Sequence, residues 1–262
     1  MSAASSTPSI AELRAATQPE SLFARNSGEH WAGRLYVRRF SPYLTRRLVP
    51  TRVTPNAVTW AMIAVGLLAA AVLTLPGVLP VIAAVLLIQG QILLDCVDGE
   101  LARWRRQFSP AGIYLDRLAH FVTETALPIA LGIRADGGWD ELGGYTTLGL
   151  LAAVLALLVR MEIVLVHVAR AEAGRPPFED TAAASAPRVS GLRRLRSALG
   201  LFPFFRAFVA IEATLLALAA ALLDLAFGDL EATRALVIAL VPVAAVTALG
   251  RLFAILSSER LR

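Results

Sequence analysis

Between Leu94 and Glu124 the chain reads LDCVDGELARWRRQFSPAGIYLDRLAHFVTE, which sets Asp95, Asp98, Asp116, His120 and Glu124 on two segments that otherwise resemble membrane spans. Ionisable side chains in such segments point to function by default, because burying a charge in lipid is costly. Asp95, Asp98 and Ala102 stand at i, i+3 and i+7, so a helix that runs through Gly99 puts them on one face. Gly112, Asp116, His120 and Glu124 recur every four residues on the next predicted helix. An antiparallel hairpin of the two aims Asp95, Asp98 and Asp116 at one point. Carboxylates gathered in that way repel one another unless a cation sits among them. Oxygen donors favour Mg²⁺ or Mn²⁺, and one or two ions are expected.

The elements that must carry these groups follow from composition. Of 262 residues, 56% are hydrophobic, and the mean hydropathy of +0.63 comes from apolar runs of about 20 residues. The chain is therefore expected to be an all-α integral membrane protein rather than a soluble enzyme. All 25 basic residues are arginine, a bias that genome composition explains as readily as phosphate chemistry. The single cysteine, Cys96, excludes an intramolecular disulfide framework and suits a reducing compartment. No cleavable signal peptide is expected, since Met1 to Gln18 lacks an apolar core of the needed length.

Residues 1–28 are expected to form a poorly ordered cytoplasmic tail. Residues 29–53 read as an interfacial amphipathic segment: Trp31, Leu35, Phe40, Leu44 and Leu48 alternate with Arg34, Arg38, Arg39, Arg46 and Arg47, with an interruption at Pro42. These arginines serve either as a surface anchor or partly as lining for the site. Thr54 then caps the first span, with Pro55 in its first turn. Six spans are expected within residues 54–262, at about 56–75, 79–98, 111–133, 145–168, 204–227 and 233–256. On that topology nineteen arginines lie on one side and only Arg134 and Arg234 on the other, so both termini and the Asp95–Asp116 loop are expected to be cytoplasmic. Asp116, Arg117, His120, Glu124, Arg160, Glu162, His167, Arg206, Glu212 and Arg251 all fall in the same half of the membrane, which predicts a polar cavity open to the cytoplasm. A transporter would place such groups nearer the midplane. In the loop from Ala169 to Phe202, Arg188, Arg193, Arg194 and Arg196 with Leu192, Leu195 and Leu199 suggest a short interfacial helix. His30 and His167 have no partner legible in the sequence.

The exact spacing, Asp95-x2-Asp98-Gly99-x2-Ala102-Arg103-x8-Gly112-x3-Asp116-x3-His120, resembles the signature of the CDP-alcohol phosphotransferases, D-x2-D-G-x2-A-R-x8-G-x3-D-x3-D, at every position but the last. The resemblance implies a membrane enzyme of phospholipid biosynthesis. Such an enzyme moves a substituted phosphoryl group from a CDP-alcohol, CDP-diacylglycerol being the usual donor, to an alcohol or polyol-phosphate acceptor and releases CMP. Asp95, Asp98 and Asp116 match the family's metal ligands. Gly99 and Ala102 match small positions under the nucleotide, Arg103 an arginine near the donor, and Gly112 a close approach of the two motif helices. Thr54, Asn56, Arg117 and Arg160 are further candidates for substrate binding, Arg117 and Arg160 because guanidinium pairs well with phosphate. Arg170, Arg206 and Arg251 are weaker candidates of the same kind. Structural ion pairs compete with this reading, Arg160 with Glu124 or Glu162 and Arg206 with Glu212.

His120 stands where the family has its fourth Asp. Neutral imidazole is a competent base but a poorer Mg²⁺ ligand than carboxylate. His120 is accordingly read as the general base, oriented by Glu124 one turn on, and as a candidate metal ligand. The alternatives are an inactive relative that binds nucleotide or lipid, and a transporter. Phe121, where inositol-phosphate-using relatives carry Arg, speaks against that acceptor. Members are commonly homodimers, and no nucleic-acid partner is expected.

Overall fold

The computed structural model describes residues 8–19, 31–176 and 204–261, and every regular element among them is helical. The expected interfacial helix in the loop 169–202 lies largely outside the described residues, as does His30. Packing divides the chain into two compact units, Met1–Ala69 with Leu86–Thr123 and Ala70–Val85 with Glu124–Arg262.

In the first unit, the stretch expected to be an unordered tail contains helix α1, Ile10–Thr17. Eight residues seldom hold a helix by propensity alone. Here a capping box closes the N-terminus: the Glu12 N–H donates to Ser9 Oγ (3.2 Å) and the Ser9 N–H to Glu12 Oε2 (2.7 Å). Leu13 and Thr17 are wholly buried. A wide π-type turn over Gly33–Val37 leads into α2, Arg38–Leu48, which continues through Pro42 instead of breaking there. Proline has no N–H for the carbonyl four residues back. That carbonyl, Arg38 O, is reached instead by Gln18 Nε2 at 3.0 Å. Leu44 and Leu48 pack on Val58, Val97 and Leu101, whereas Leu35, Phe40 and Tyr43 stay exposed.

Three long helices follow: α3 (Pro55–Leu73), α4 (Val78–Arg105) and α5 (Pro110–Ala135). Thr54 caps α3 as expected, its Oγ1 accepting from the Ala57 N–H at 3.2 Å. Within the first unit Met62, Ile63 and Ala119 close a second apolar cluster with Leu94 and Val122. Arg105 gathers the turn between α2 and α3 by donating to the carbonyls of Leu48, Val49, Thr51 and Val53.

The second unit contains α6 (Gly144–Glu172), α7 (Ala210–Phe227) and α8 (Glu231–Leu256), with a 3₁₀ turn at Phe204–Phe208. Its α8 packs along α6 and against α7. Two aspartates cap helices here. Asp136 accepts from the Gly143 and Thr146 N–H groups and from Thr146 Oγ1, and Asp224 from the Ala232 N–H and Thr233 Oγ1. A side chain on Gly132 would come within 2.5 Å of the Tyr145 carbonyl, and one on Gly149 within 2.5 Å of the Pro128 carbonyl, so this crossing of α5 and α6 requires glycine.

Among the described residues five helices, α3, α4, α6, α7 and α8, are long and apolar enough to cross a membrane, against the six expected. At 26 residues α5 has the length, about 39 Å at 1.5 Å per residue. Asp116, Arg117, His120 and Glu124 in its first half keep it from matching the others in apolarity. The fifth expected span begins later than predicted, at Ala210, which leaves Arg206 in the preceding 3₁₀ turn.

Candidate active site

Helix α4 runs unbroken through Gly99, which costs only about 1 kcal/mol of helix propensity and leaves Asp95, Asp98 and Ala102 on one continuous helix. The opening turns of α5 bring Asp116 and His120 to the same place. His120 Nε2 lies 3.5 Å from Asp95 Oδ1 and 3.8 Å from Asp116 Oδ1. One ligand atom from each of the three residues falls within 4.8 Å of the others. All three side chains are a third to nearly half exposed, so the cluster is open to solvent.

Asp98 is outside that triplet and buried, its Oδ2 accepting from Thr59 Oγ1 on α3 at 2.6 Å. The Arg103 guanidinium lies over Gly99, where an added Cβ would meet its Nη atoms at 3.1 and 3.2 Å, while Nε donates to the Thr17 carbonyl at the end of α1 (2.6 Å). Ala102 is half-buried. The nearest neighbour that a side chain at Gly112 would meet is Asn56 Oδ1 at 3.2 Å, so the close approach there is to the first turn of α3. Arg117 is exposed. In the second unit Arg160 donates through Nε and Nη2 to the Glu124 carboxylate, so the structure pairs these two with each other. Arg251 donates to the Val159 carbonyl, and Arg170 to those of Pro176 and Arg260.

Sequence reasoning passed over two groups beside this cluster. Thr59 fixes Asp98, and hydroxyls inside apolar helices carry no periodic signal of their own. Glu100, between motif positions, is fully buried and accepts from Ser41, Thr45 and Gln18. The spacing of Ser41 and Thr45, one turn apart on an arginine-rich helix, is the sequence feature that could have revealed it.

Two carboxylates and an imidazole open to solvent, carried on helices of membrane length, make a site suited to a divalent cation in a polytopic membrane protein. The fit rests on the donors themselves: hard oxygen ligands of Asp95 and Asp116 converge with His120 Nε2 among them. Comparison with known families gives the second step. Residues 52–246 match CDP-alcohol phosphatidyltransferase, and the chain belongs to that family. No curated protein sequence matches the chain. Family membership supports a membrane transferase acting in phosphatidyl transfer, in a family that is generally metal-dependent.

Proposed function

We propose that the protein transfers a phosphatidyl group from CDP-diacylglycerol to a small alcohol or polyol phosphate and releases CMP, at a cytoplasm-facing site loaded with Mg²⁺ or Mn²⁺. The convergence of Asp95, Asp116 and His120 within 4.8 Å carries this reading. Asp95 and Asp116 would hold the cation, with Asp98 steadied by Thr59 beside them. When bound, the ion supplies charge neutralisation to the diphosphate and to departing CMP. His120 Nε2 accepts the proton of the acceptor hydroxyl, whose oxygen forms the new bond to the donor phosphorus as the P–O bond to CMP breaks. Arg103 presents its Nη groups over Gly99 to the donor, and Arg117, exposed on α5, meets an anionic acceptor. The donor's acyl chains remain in the bilayer, with α5 as a sixth span. The functional unit in this reading is a homodimer, which light scattering of the detergent complex measures.

One observation favours a second reading. With Nε2 between Asp95 and Asp116, a protonated His120 can itself neutralise the two carboxylates and leave a relative that binds nucleotide or lipid without turnover. CMP release by the purified protein in CDP-diacylglycerol micelles, with Mg²⁺ or Mn²⁺ and a panel of glycerol phosphate, polyol phosphates and serine, separates the two. Release that requires one acceptor and disappears in Asp95→Asn establishes the transferase. Silence in the native protein with release in His120→Asp establishes the binding protein.

A further inference from the structure

Two residues beyond Asp98, Glu100 has no solvent exposure, yet it accepts three hydrogen bonds: from Ser41 Oγ (2.5 Å), Thr45 Oγ1 (2.6 Å) and Gln18 Nε2 (2.8 Å). Ser41 and Thr45 are equally buried. A buried carboxylate is tolerated only when its lone pairs are satisfied, and these donors come from two other elements, α2 and the C-terminal end of α1. Gln18 Nε2 serves twice, since it also reaches the Arg38 carbonyl that Pro42 leaves without its helical donor. One turn along α4 from Glu100, Arg103 Nε holds the Thr17 carbonyl. Glu100 and Arg103 therefore grip the end of α1 together, and Arg14 Nη2 adds a bond to the Arg39 carbonyl (3.0 Å). Two cations belong to this junction: Arg103 over Gly99, and Arg38, whose backbone carbonyl Gln18 holds.

We propose that Glu100 is a positioning residue of the transfer reaction: its buried carboxylate locks α1 and α2 onto α4 and so holds Arg103 and Arg38 where the donor's diphosphate is received. This deepens the transferase reading and rests on it. Glu100 touches no reacting atom. Its loss leaves the buried hydroxyls of Ser41 and Thr45 without their acceptor and Gln18 with only the Arg38 carbonyl, which loosens the hold on α1 and with it the partner of Arg103.

The test uses the full chain in detergent micelles and two measurements, CMP affinity by calorimetry and the kinetics of CMP release. Glu100→Ala is expected to weaken CMP affinity and raise KM for CDP-diacylglycerol by about tenfold, the lower end of what outer-shell changes cost, with kcat changed much less. Glu100→Gln keeps an oxygen for Ser41 and Gln18, and the Thr45 hydroxyl can turn to accept from its amide. It is expected to restore both quantities to within about twofold. Unchanged CMP affinity and KM in folded Glu100→Ala overturn the proposal, as does a Glu100→Gln protein of native Tm that binds CMP as weakly as Glu100→Ala. If Glu100→Ala does not fold, Gln18→Ala and the Ser41→Ala/Thr45→Val pair take its place under the same criteria. A native protein that binds CMP without releasing it from the donor removes the transferase reading, and the positioning role is then judged on affinity alone. A native protein that does neither overturns both.

Discussion

Asp98 shows how much of a carboxylate's behaviour is set by a single neighbour. It is buried, and the hydroxyl of Thr59 on the adjacent helix is the hydrogen-bond donor to its Oδ2, at 2.6 Å. Removing that hydroxyl leaves the carboxylate able to swing and to repel Asp95 and Asp116 more freely. Thr59→Val, nearly isosteric, is expected to lower Mn²⁺ affinity by about tenfold with little change in helix content. Electron paramagnetic resonance titration of free Mn²⁺ reads this directly, and equal affinity in the variant would show that Thr59 does not tune the site. Asp95, Asp116 and His120 differ in having one another as neighbours, within reach of solvent. That arrangement suits groups that must exchange a ligand.

At the scale of elements, arginines and aspartates at helix ends hold connections together through backbone groups. Arg105 is the clearest case, with four carbonyls of the α2–α3 turn around one guanidinium. Hydrogen bonds from a charged donor are worth more than neutral ones, so Arg105→Ala is expected to cost about 2 kcal/mol and to expose residues 49–54 to protease, while Arg105→Lys recovers only part because an amine cannot fork. Asp136 does the same work for the first turn of α6. Partial burial pushes its carboxyl up, but hydrogen bonds from Thr146 Oγ1 and from the backbone N–H groups of Thr146, Gly143 and Tyr145 outweigh this and hold it below the ordinary aspartate range. A depressed folded-state value means stabilisation that is complete above the unfolded value of about 3.9 and is lost as pH falls through the folded one. The Tm difference between the native protein and Asp136→Ala should therefore be constant from pH 7 to pH 5 and shrink below about pH 4. A difference independent of pH down to 3 would show that the Asp136 cap does not work through its charge.

For the whole molecule the number of crossings turns on α5: among the described residues five other helices are apolar enough, and α5 carries its charges in the half that bears the site. Those charges have uses within the bundle: Asp116 and His120 face Asp95, and Glu124 is neutralised by Arg160. A helix with its charges occupied in that way can cross. Single cysteines at Gln107 and Asp140, exposed before and after α5, in a Cys96→Ala background should react with an impermeant maleimide from opposite faces of sealed vesicles. Labelling of both from one face would place α5 on the membrane rather than through it.

The sequence by itself determined the class of the protein and the residues at its centre. Apolar runs of membrane length leave helices as the only economical structure, and the offsets from Asp95 to His120 are local, so helical periodicity alone puts them on defined faces. The same locality made Thr54 legible as a cap. What the tertiary structure decided was everything that depends on distant partners. A helix at Ile10–Thr17 appears in a stretch read as unordered because its stability comes from burying Leu13 and Thr17, not from propensity. Helix α2 passes through Pro42 because Gln18, 20 residues before Arg38, meets the carbonyl that proline leaves open. Of the partners the sequence offered Arg160, the fold pairs it with Glu124, and it commits Arg103 in part to the Thr17 carbonyl, which no spacing in the chain announces. Glu100 emerged only when its three donors did, since a buried charge is explained by the groups that surround it, and those come together only when the chain has folded.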